Sequence, residues 1–344
     1  MNKLISSLIV IAALFFIGCT SIEIKEEQFL RSQTEAIVYD LMRFDASTSA
    51  QIAQRTSYSL TEVEQKLAKL AQQGKLQLQA GKWSLTEKYR GKRQDDISAI
   101  KNFSPEALNS KSASHTFKLE QIAGSNIHYA AMLSKQPQET IIIFPGNGFN
   151  LIPGATELLK FSAPQRNLVI MEYPGMGSHG GKLTIDNLES SADTFYNHII
   201  NRPEISGTKI TVYGFSLGGF VATKIASKHQ PHGLILDSTA PDFQSWIDSN
   251  VPLYAKAFVD VKAQASLTNV SNQQLIQQLR QPMLFMVGAK DTVTPTALMR
   301  SLAEQAKAST YKKFVVLDGV AHGESVDHHD FNNTVTSFLK RLPN

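Results

Sequence analysis

Residues 116 to 344 alternate short apolar runs with amphipathic stretches, and few folds accept that order. The runs Thr140 to Phe144, Leu168 to Met171, Lys209 to Tyr213, Gly233 to Leu236, Met283 to Val287 and Lys313 to Leu317 carry much of the Val and Ile, with Gly or Pro at their flanks. Runs this short are buried strands or pieces of buried helix; β-branched content and punctuation favour strands. Helical patterns fill the gaps, so the strands are joined by crossovers and lie parallel, covered on both faces. The expected class is α/β with a mostly parallel sheet.

One turn in this alternation carries chemistry. Gly214-Phe215-Ser216-Leu217-Gly218 follows the run Ile210 to Tyr213 and precedes the helical pattern Phe220 to His229. A G-x-S-x-G turn between strand and helix holds a serine Oγ proud of the sheet, with small neighbours where backbones crowd. A serine hydroxyl needs a base, and the base needs a third group to fix its tautomer. Asp291, in Gly288-Ala289-Lys290-Asp291-Thr292-Val293-Thr294-Pro295, follows the run Met283 to Val287, and His322, in Gly319-Val320-Ala321-His322-Gly323, follows Lys313 to Leu317. His328 and His329 compete for the base role but fall where the last helix should begin; His179 reads as a loop residue.

Through these residues the chain resembles the α/β-hydrolase superfamily, in its small esterase, thioesterase and aminopeptidase-like branch, over most of residues 116 to 340. The resemblance implies a serine hydrolase acting on an ester, thioester or amide through an acyl-serine, with Ser216 as nucleophile, His322 as base and Asp291 as acid, and with neither metal nor organic cofactor. It implies an oxyanion hole that includes the Leu217 N–H. The loop Phe144-Pro145-Gly146-Asn147-Gly148-Phe149-Asn150 is similar to the family's His-Gly-Asn-Gly-Gly-Asn loop and puts Asn147 at the second donor position, with Pro145 where the family has His. Glu172-Tyr173-Pro174-Gly175-Met176-Gly177-Ser178-His179-Gly180 is similar to the family's Asp-Tyr-Arg-Gly-Tyr-Gly-x-Ser-x-Gly stretch, with Pro174 in place of Arg. An insertion at about 240 to 281, containing Phe243, Trp246, Pro252, Leu253, Tyr254 and Phe258, is either a small lid or acyl-side wall, or ordinary helix core.

The N-terminal part has other patterning. Lys3 and the apolar run Leu4 to Ile17 suit a signal peptide over residues 1 to 18, and Phe16-Ile17-Gly18-Cys19-Thr20 resembles a bacterial lipobox, which implies lipidation at Cys19, the single cysteine. The expected location is the bacterial cell envelope, membrane-anchored and facing the periplasm or exterior, with a small-molecule or lipid-like acyl substrate. Residues 26 to 91 read as helices followed by a hairpin: helical spacing in Phe29, Ile37 and Leu41, a capping box from Ser59 to Glu62, a stop at Gly74, then two alternating segments about Ala80-Gly81-Lys82. That order resembles a winged helix-turn-helix, and the polar stretch 92 to 115 reads as a linker or connecting helix before the hydrolase-like domain at 116 to 344. Two other readings compete: a DNA-binding regulator with a hydrolase-like sensor, and a hydrolase-fold binding protein without activity. The helix after the turn carries Glu62, Glu64, Lys66 and Lys69, a neutral set with an acidic leading end and little drive toward a phosphate groove. Net charge of +4 in 344 residues, with mixed signs, adds no nucleic-acid signal. The module is therefore expected to be a spacer or a protein-docking surface, with no nucleic acid bound.

Overall fold

The computed structural model describes residues 20–30, 36–56, 58–110, 112–177, 180–256 and 258–343. The leader, Cys19 and His179 lie outside these residues. Its strands are β1 (Thr20–Ile24), β2 (Ala46–Ser47), β3 (Leu76–Gln79), β4 (Lys82–Leu85), β5 (His115–Gln121), β6 (His128–Ser134), β7 (Glu139–Phe144), β8 (Arg166–Met171), β9 (Lys209–Phe215), β10 (Gly233–Asp237), β11 (Val259–Ala263), β12 (Met283–Gly288) and β13 (Lys312–Leu317). Eight of them form one sheet in the order β13-β12-β10-β9-β7-β8-β6-β5. The ladders β9–β10, β10–β12 and β12–β13 are parallel, while β6 runs antiparallel to β5 and to β8. This is the α/β class expected from the alternation. β10 and β12 are buried at every position, which is why they read as continuous apolar runs and not as alternating ones.

The chain divides into two compact units, and the sequence does not run through them one after the other. The first takes the described residues within Met1–Leu30, Ile141–Gly146 and Lys209–Asn344; the second takes those within Arg31–Thr140 and Asn147–Thr208. In the first unit, β1 pairs parallel with β11, from Thr20 opposite Val259 to Ile24 opposite Ala263. A lone two-stranded ribbon is marginal in water. Here rings steady it: Phe29 meets Phe243 edge-on at 4.5 Å and Trp246 at 5.1 Å, and Phe243 stacks on Phe220 at 4.4 Å. The insertion's apolar residues therefore divide. Phe243 and Trp246, on the helix Phe243–Asn250 that Asp242 caps, are core; Leu253, Tyr254 and Phe258 are exposed.

In the second unit, helices Ala36–Phe44, Ser49–Thr56 and Leu60–Gln72 precede the β3–β4 hairpin, to which β2 adds a short third strand. Ser59 and Glu62 make a reciprocal cap, with the Glu62 N–H donating to Ser59 Oγ at 3.3 Å and the Ser59 N–H donating to Glu62 Oε2 at 2.9 Å. The 92 to 115 stretch, read as a linker or connecting helix, holds helices Gln94–Asn102 and Pro105–Ser110, and Ile97 and Ile100 bury into the same cluster as Ile37, Leu41, Val63 and Leu67. Two isoleucines three residues apart were enough to dock a helix whose other positions are mostly polar.

Candidate active site

The site is built by one turn. Between β9 and the helix Leu217–His229, Ser216 sits at φ 52° and ψ −115°, a left-handed backbone that side chains rarely adopt. Its neighbours hold it there. The Ser216 N–H donates to the Asp237 carbonyl at 2.9 Å, and the Ser216 carbonyl accepts from the Thr239 hydroxyl at 2.8 Å and from the Gly219 N–H at 3.0 Å. The glycines of the motif are required by contact. A Cβ on Gly218 would stand 1.9 Å from the Phe144 carbonyl oxygen, and one on Gly214 would stand 2.3 Å from the Gly218 carbonyl oxygen. The first contact also seats the end of β7 directly against the turn.

The three residues singled out in the sequence come together within the first unit. Ser216 Oγ lies 3.1 Å from His322 Nε2, and His322 Nδ1 lies 2.8 Å from Asp291 Oδ2. His328 and His329 do not take part; they lie ring to ring at 4.2 Å, and His329 faces Asp330 at 3.2 Å. The Asp291 side chain is fully buried, whereas that of His322 keeps 19% of its surface exposed, so the base can reach a substrate and the acid cannot. Burial works against ionisation of Asp291, but the hydrogen bond and charge of His322, with the backbone and hydroxyl of Thr294, outweigh it and hold the carboxyl below its ordinary range. Phe215 lies 4.9 Å from the imidazole and closes one side of it.

Several polar residues around this relay were not singled out from the sequence. The Thr294 hydroxyl lies 2.8 Å from Asp291 Oδ2, 2.9 Å from the Ser238 carbonyl and 3.2 Å from His322 Nδ1. The N–H groups of Val293 and Thr294 both donate to Asp291 Oδ1, at 2.9 and 2.8 Å, so the acid is fixed by its own loop. The advance signal was the Asp-x-x-Thr spacing, which commonly marks such a turn. Beneath the turn, Asp237 accepts from the Tyr213 hydroxyl at 2.6 Å and from the Ser325 hydroxyl at 2.9 Å. Burial pushes the Asp237 carboxyl up, against those bonds. Tyr213 lies on the nucleophile's strand and Ser325 three residues past His322, so one buried carboxyl ties the two together. Nothing local in the sequence marks Asp237; its partners are 24 and 88 residues away.

Leu217 opens the helix after Ser216, so its N–H is among the first-turn donors that have no partner within the helix. Such a donor suits a developing oxyanion. Asn147 follows Gly146 in the loop after β7 and belongs to the second unit. In that unit, the buried Glu172 accepts the Leu151 N–H at 2.7 Å, and a Cβ on Gly177, at φ 49°, would strike its carboxylate.

A serine whose proton can pass to an imidazole that is itself steered by a carboxylate is equipped for acyl transfer. Comparison with known proteins agrees with that chemistry. Residues 178–321 match the serine hydrolase (FSH1) family model. The chain is 28% identical over 223 residues to protein bem46 of Schizosaccharomyces pombe, covering 61% of this chain and 71% of that protein. It is 25% identical over 205 residues to the alpha/beta hydrolase domain-containing protein WAV2 of Arabidopsis thaliana, covering 55% and 66%. Among solved structures, the Pyrococcus furiosus esterase Pf2001 is similar with a TM-score of 0.52 at 20% identity, covering 70% of this chain and 96% of that one. The Pyrococcus horikoshii acylaminoacyl peptidase is similar with a TM-score of 0.51 at 11% identity, covering 78% and 45%. At such identities the structural likeness is one of fold, the α/β-hydrolase fold. Fold, matched segment and hydrogen-bonded Ser216–His322–Asp291 set together make this chain a serine hydrolase.

Proposed function

We propose that the chain is a lipid-anchored carboxylic ester hydrolase of the bacterial cell envelope, with Ser216 as nucleophile, His322 as general base and acid, and Asp291 as the group that orients the histidine. The observation that carries the reading is the continuous pair of hydrogen bonds, 3.1 Å from Ser216 Oγ to His322 Nε2 and 2.8 Å from His322 Nδ1 to Asp291 Oδ2. Ser216 Oγ attacks the acyl carbonyl carbon while His322 Nε2 takes its proton. The tetrahedral oxyanion is met by the Leu217 N–H. Collapse expels the alkoxide, which takes the proton from His322, and leaves an acyl-serine. Water then attacks with its proton passing to Nε2, the carboxylic acid departs, and Ser216 recovers its hydrogen. Asn147 is assigned the second oxyanion donor from its place just after β7 and from the loop resemblance. The anchor is assigned to Cys19 from the lipobox resemblance, and the module at 26 to 91 is assigned a spacer or protein-docking role.

An alkoxide is a better leaving group than an amide nitrogen, so esters are the substrates on which the relay is tested first. The test is direct. Ser216→Ala is expected to abolish both fluorophosphonate labelling and hydrolysis of p-nitrophenyl esters, while the circular dichroism spectrum and unfolding midpoint stay near those of the wild type. Labelling that survives in Ser216→Ala would place the nucleophile elsewhere.

A further inference from the structure

We infer that Leu253, Tyr254 and Phe258 form a bilayer-docking edge of the insertion, which seats the hydrolase face on a phospholipid surface and directs it toward acyl esters held in that surface. The inference rests on the hydrolase and N-terminal-anchor readings above and extends them to the substrate's phase. Leu253 is 85% exposed, Tyr254 75% and Phe258 61%, three large apolar or amphipathic side chains within six residues. Single exposed apolar residues are ordinary; a cluster of this kind marks an interaction surface.

The position of the N-terminal strand decides what covers the cluster. In the β1–β11 ladder Thr20 pairs with Val259, the residue directly after Phe258. Thr20 is also the residue directly after Cys19, and one peptide unit spans about 3.8 Å between Cα atoms. The point where the chain reaches a membrane anchor is thus fixed within a few ångströms of Thr20, on the strand beside the apolar loop. For acyl chains on Cys19 this follows from adjacency; for the apolar run Leu4 to Ile17, which ends three residues before Thr20, the reach is at most about 11 Å. An anchor there brings the loop to the lipid boundary, where Tyr and Phe partition favourably and exposed Lys256 faces the headgroups.

The loop is also connected to the relay. It follows the helix Phe243–Asn250, whose Trp246 Nε1 and Asn250 Nδ2 donate to the Val293 carbonyl at 2.9 and 3.1 Å. The Val293 N–H in turn donates to Asp291 Oδ1. A docked insertion therefore holds the acid loop next to the bilayer, which favours substrates partitioned into lipid over those dissolved in water.

The experiment uses the full-length processed protein in vesicles of phosphatidylethanolamine and phosphatidylglycerol containing a nitroxide-labelled lipid. Leu253→Cys and, as a control on the same unit, exposed Lys307→Cys are each labelled with an environment-sensitive fluorophore. The wild-type chain is treated in parallel: no label is taken up where Cys19 is acylated, so the state of the anchor is read separately. Quenching at least about threefold greater at position 253 than at 307 is the expected result, and equal quenching at the two positions overturns the inference. The triple variant Leu253→Ser, Tyr254→Ser, Phe258→Ser is expected to keep its rate on a water-soluble short-chain ester and to lose about tenfold or more on a vesicle-borne ester. Equal loss, or none, on both substrates also overturns it. A wild-type protein that fails on the soluble ester refutes the hydrolase reading and leaves the quenching result to stand on its own.

Discussion

The hydroxyl of Thr294 has one proton and two acceptors within 2.9 Å, Asp291 Oδ2 and the Ser238 carbonyl. It donates to one at a time, and either way it fills the space beside the carboxylate that would otherwise admit water or a second rotamer. Its role is to hold Asp291 in line with His322 Nδ1, so it acts through the acid and not on the substrate. Thr294→Val keeps the shape and removes the hydroxyl. We expect kcat to fall about tenfold with KM little changed, since misorientation of the imidazole weakens proton transfer in the transition state and leaves acyl binding alone. Steady-state kinetics on a soluble ester would check this; a rise in KM at constant kcat would move Thr294 into substrate binding. Ser216, Asp291 and His322 were legible in the sequence because each follows a run that reads as a strand and each has a motif of its own. Thr294, Asp237 and Ser325 were not. Their roles come from pairings across the fold, such as the 88 residues separating Ser325 from Asp237, and no local spacing encodes those.

At the scale of elements, the six strands read from apolar runs are present, extended by one or two residues at some ends, because buried parallel strands leave an unbroken apolar signature. β5 and β6 escaped notice for opposite reasons: Lys118 and Glu120 break the run in β5, and Ala130-Ala131 deprive β6 of β-branched character. β1 and β11 leave no apolar run either, since Glu23 in β1 and Asp260 and Lys262 in β11 alternate with their apolar residues. That ribbon depends on its ring packing. Phe29→Ala removes the edge-on contacts to Phe243 and Trp246, which add to the ladder's buried residues Ile24, Val259, Val261 and Ala263 and to the Gln244 bonds to Val261 and Ala263. We expect amide exchange at Thr20–Ile24 and Val259–Ala263 to speed up together, by about tenfold or more, with exchange in β10 and β12 unchanged. Acceleration confined to one of the two strands would show that they do not depend on each other.

For the molecule as a whole, the sequence suggests beads on a string: a leader, a small winged-helix-like module, a linker or connecting helix and a hydrolase-like domain. By contact the chain divides into two units that are discontinuous in sequence, with Ile141–Gly146 belonging to one and its flanking segments to the other. Pattern in a sequence is local, whereas a sheet collects strands from distant places, so composition finds the strands and misses how they are shared. Stability at this scale is a small difference between large terms, and a single strained residue counts against it. Ser216 at φ 52° is such a residue. Glycine adopts that backbone freely, and after allowing for its extra freedom in the unfolded chain we expect Ser216→Gly to be more stable than Ser216→Ala by about 1 kcal/mol, or roughly 2–4 °C in Tm. Differential scanning calorimetry of the two variants decides it, and a Gly variant that melts at or below the Ala variant removes the strain from the account. The stabilising change at the centre of this molecule is then the one that ends its chemistry, and a mutant library sorted by heat resistance alone would enrich dead enzymes unless turnover is assayed in the same round.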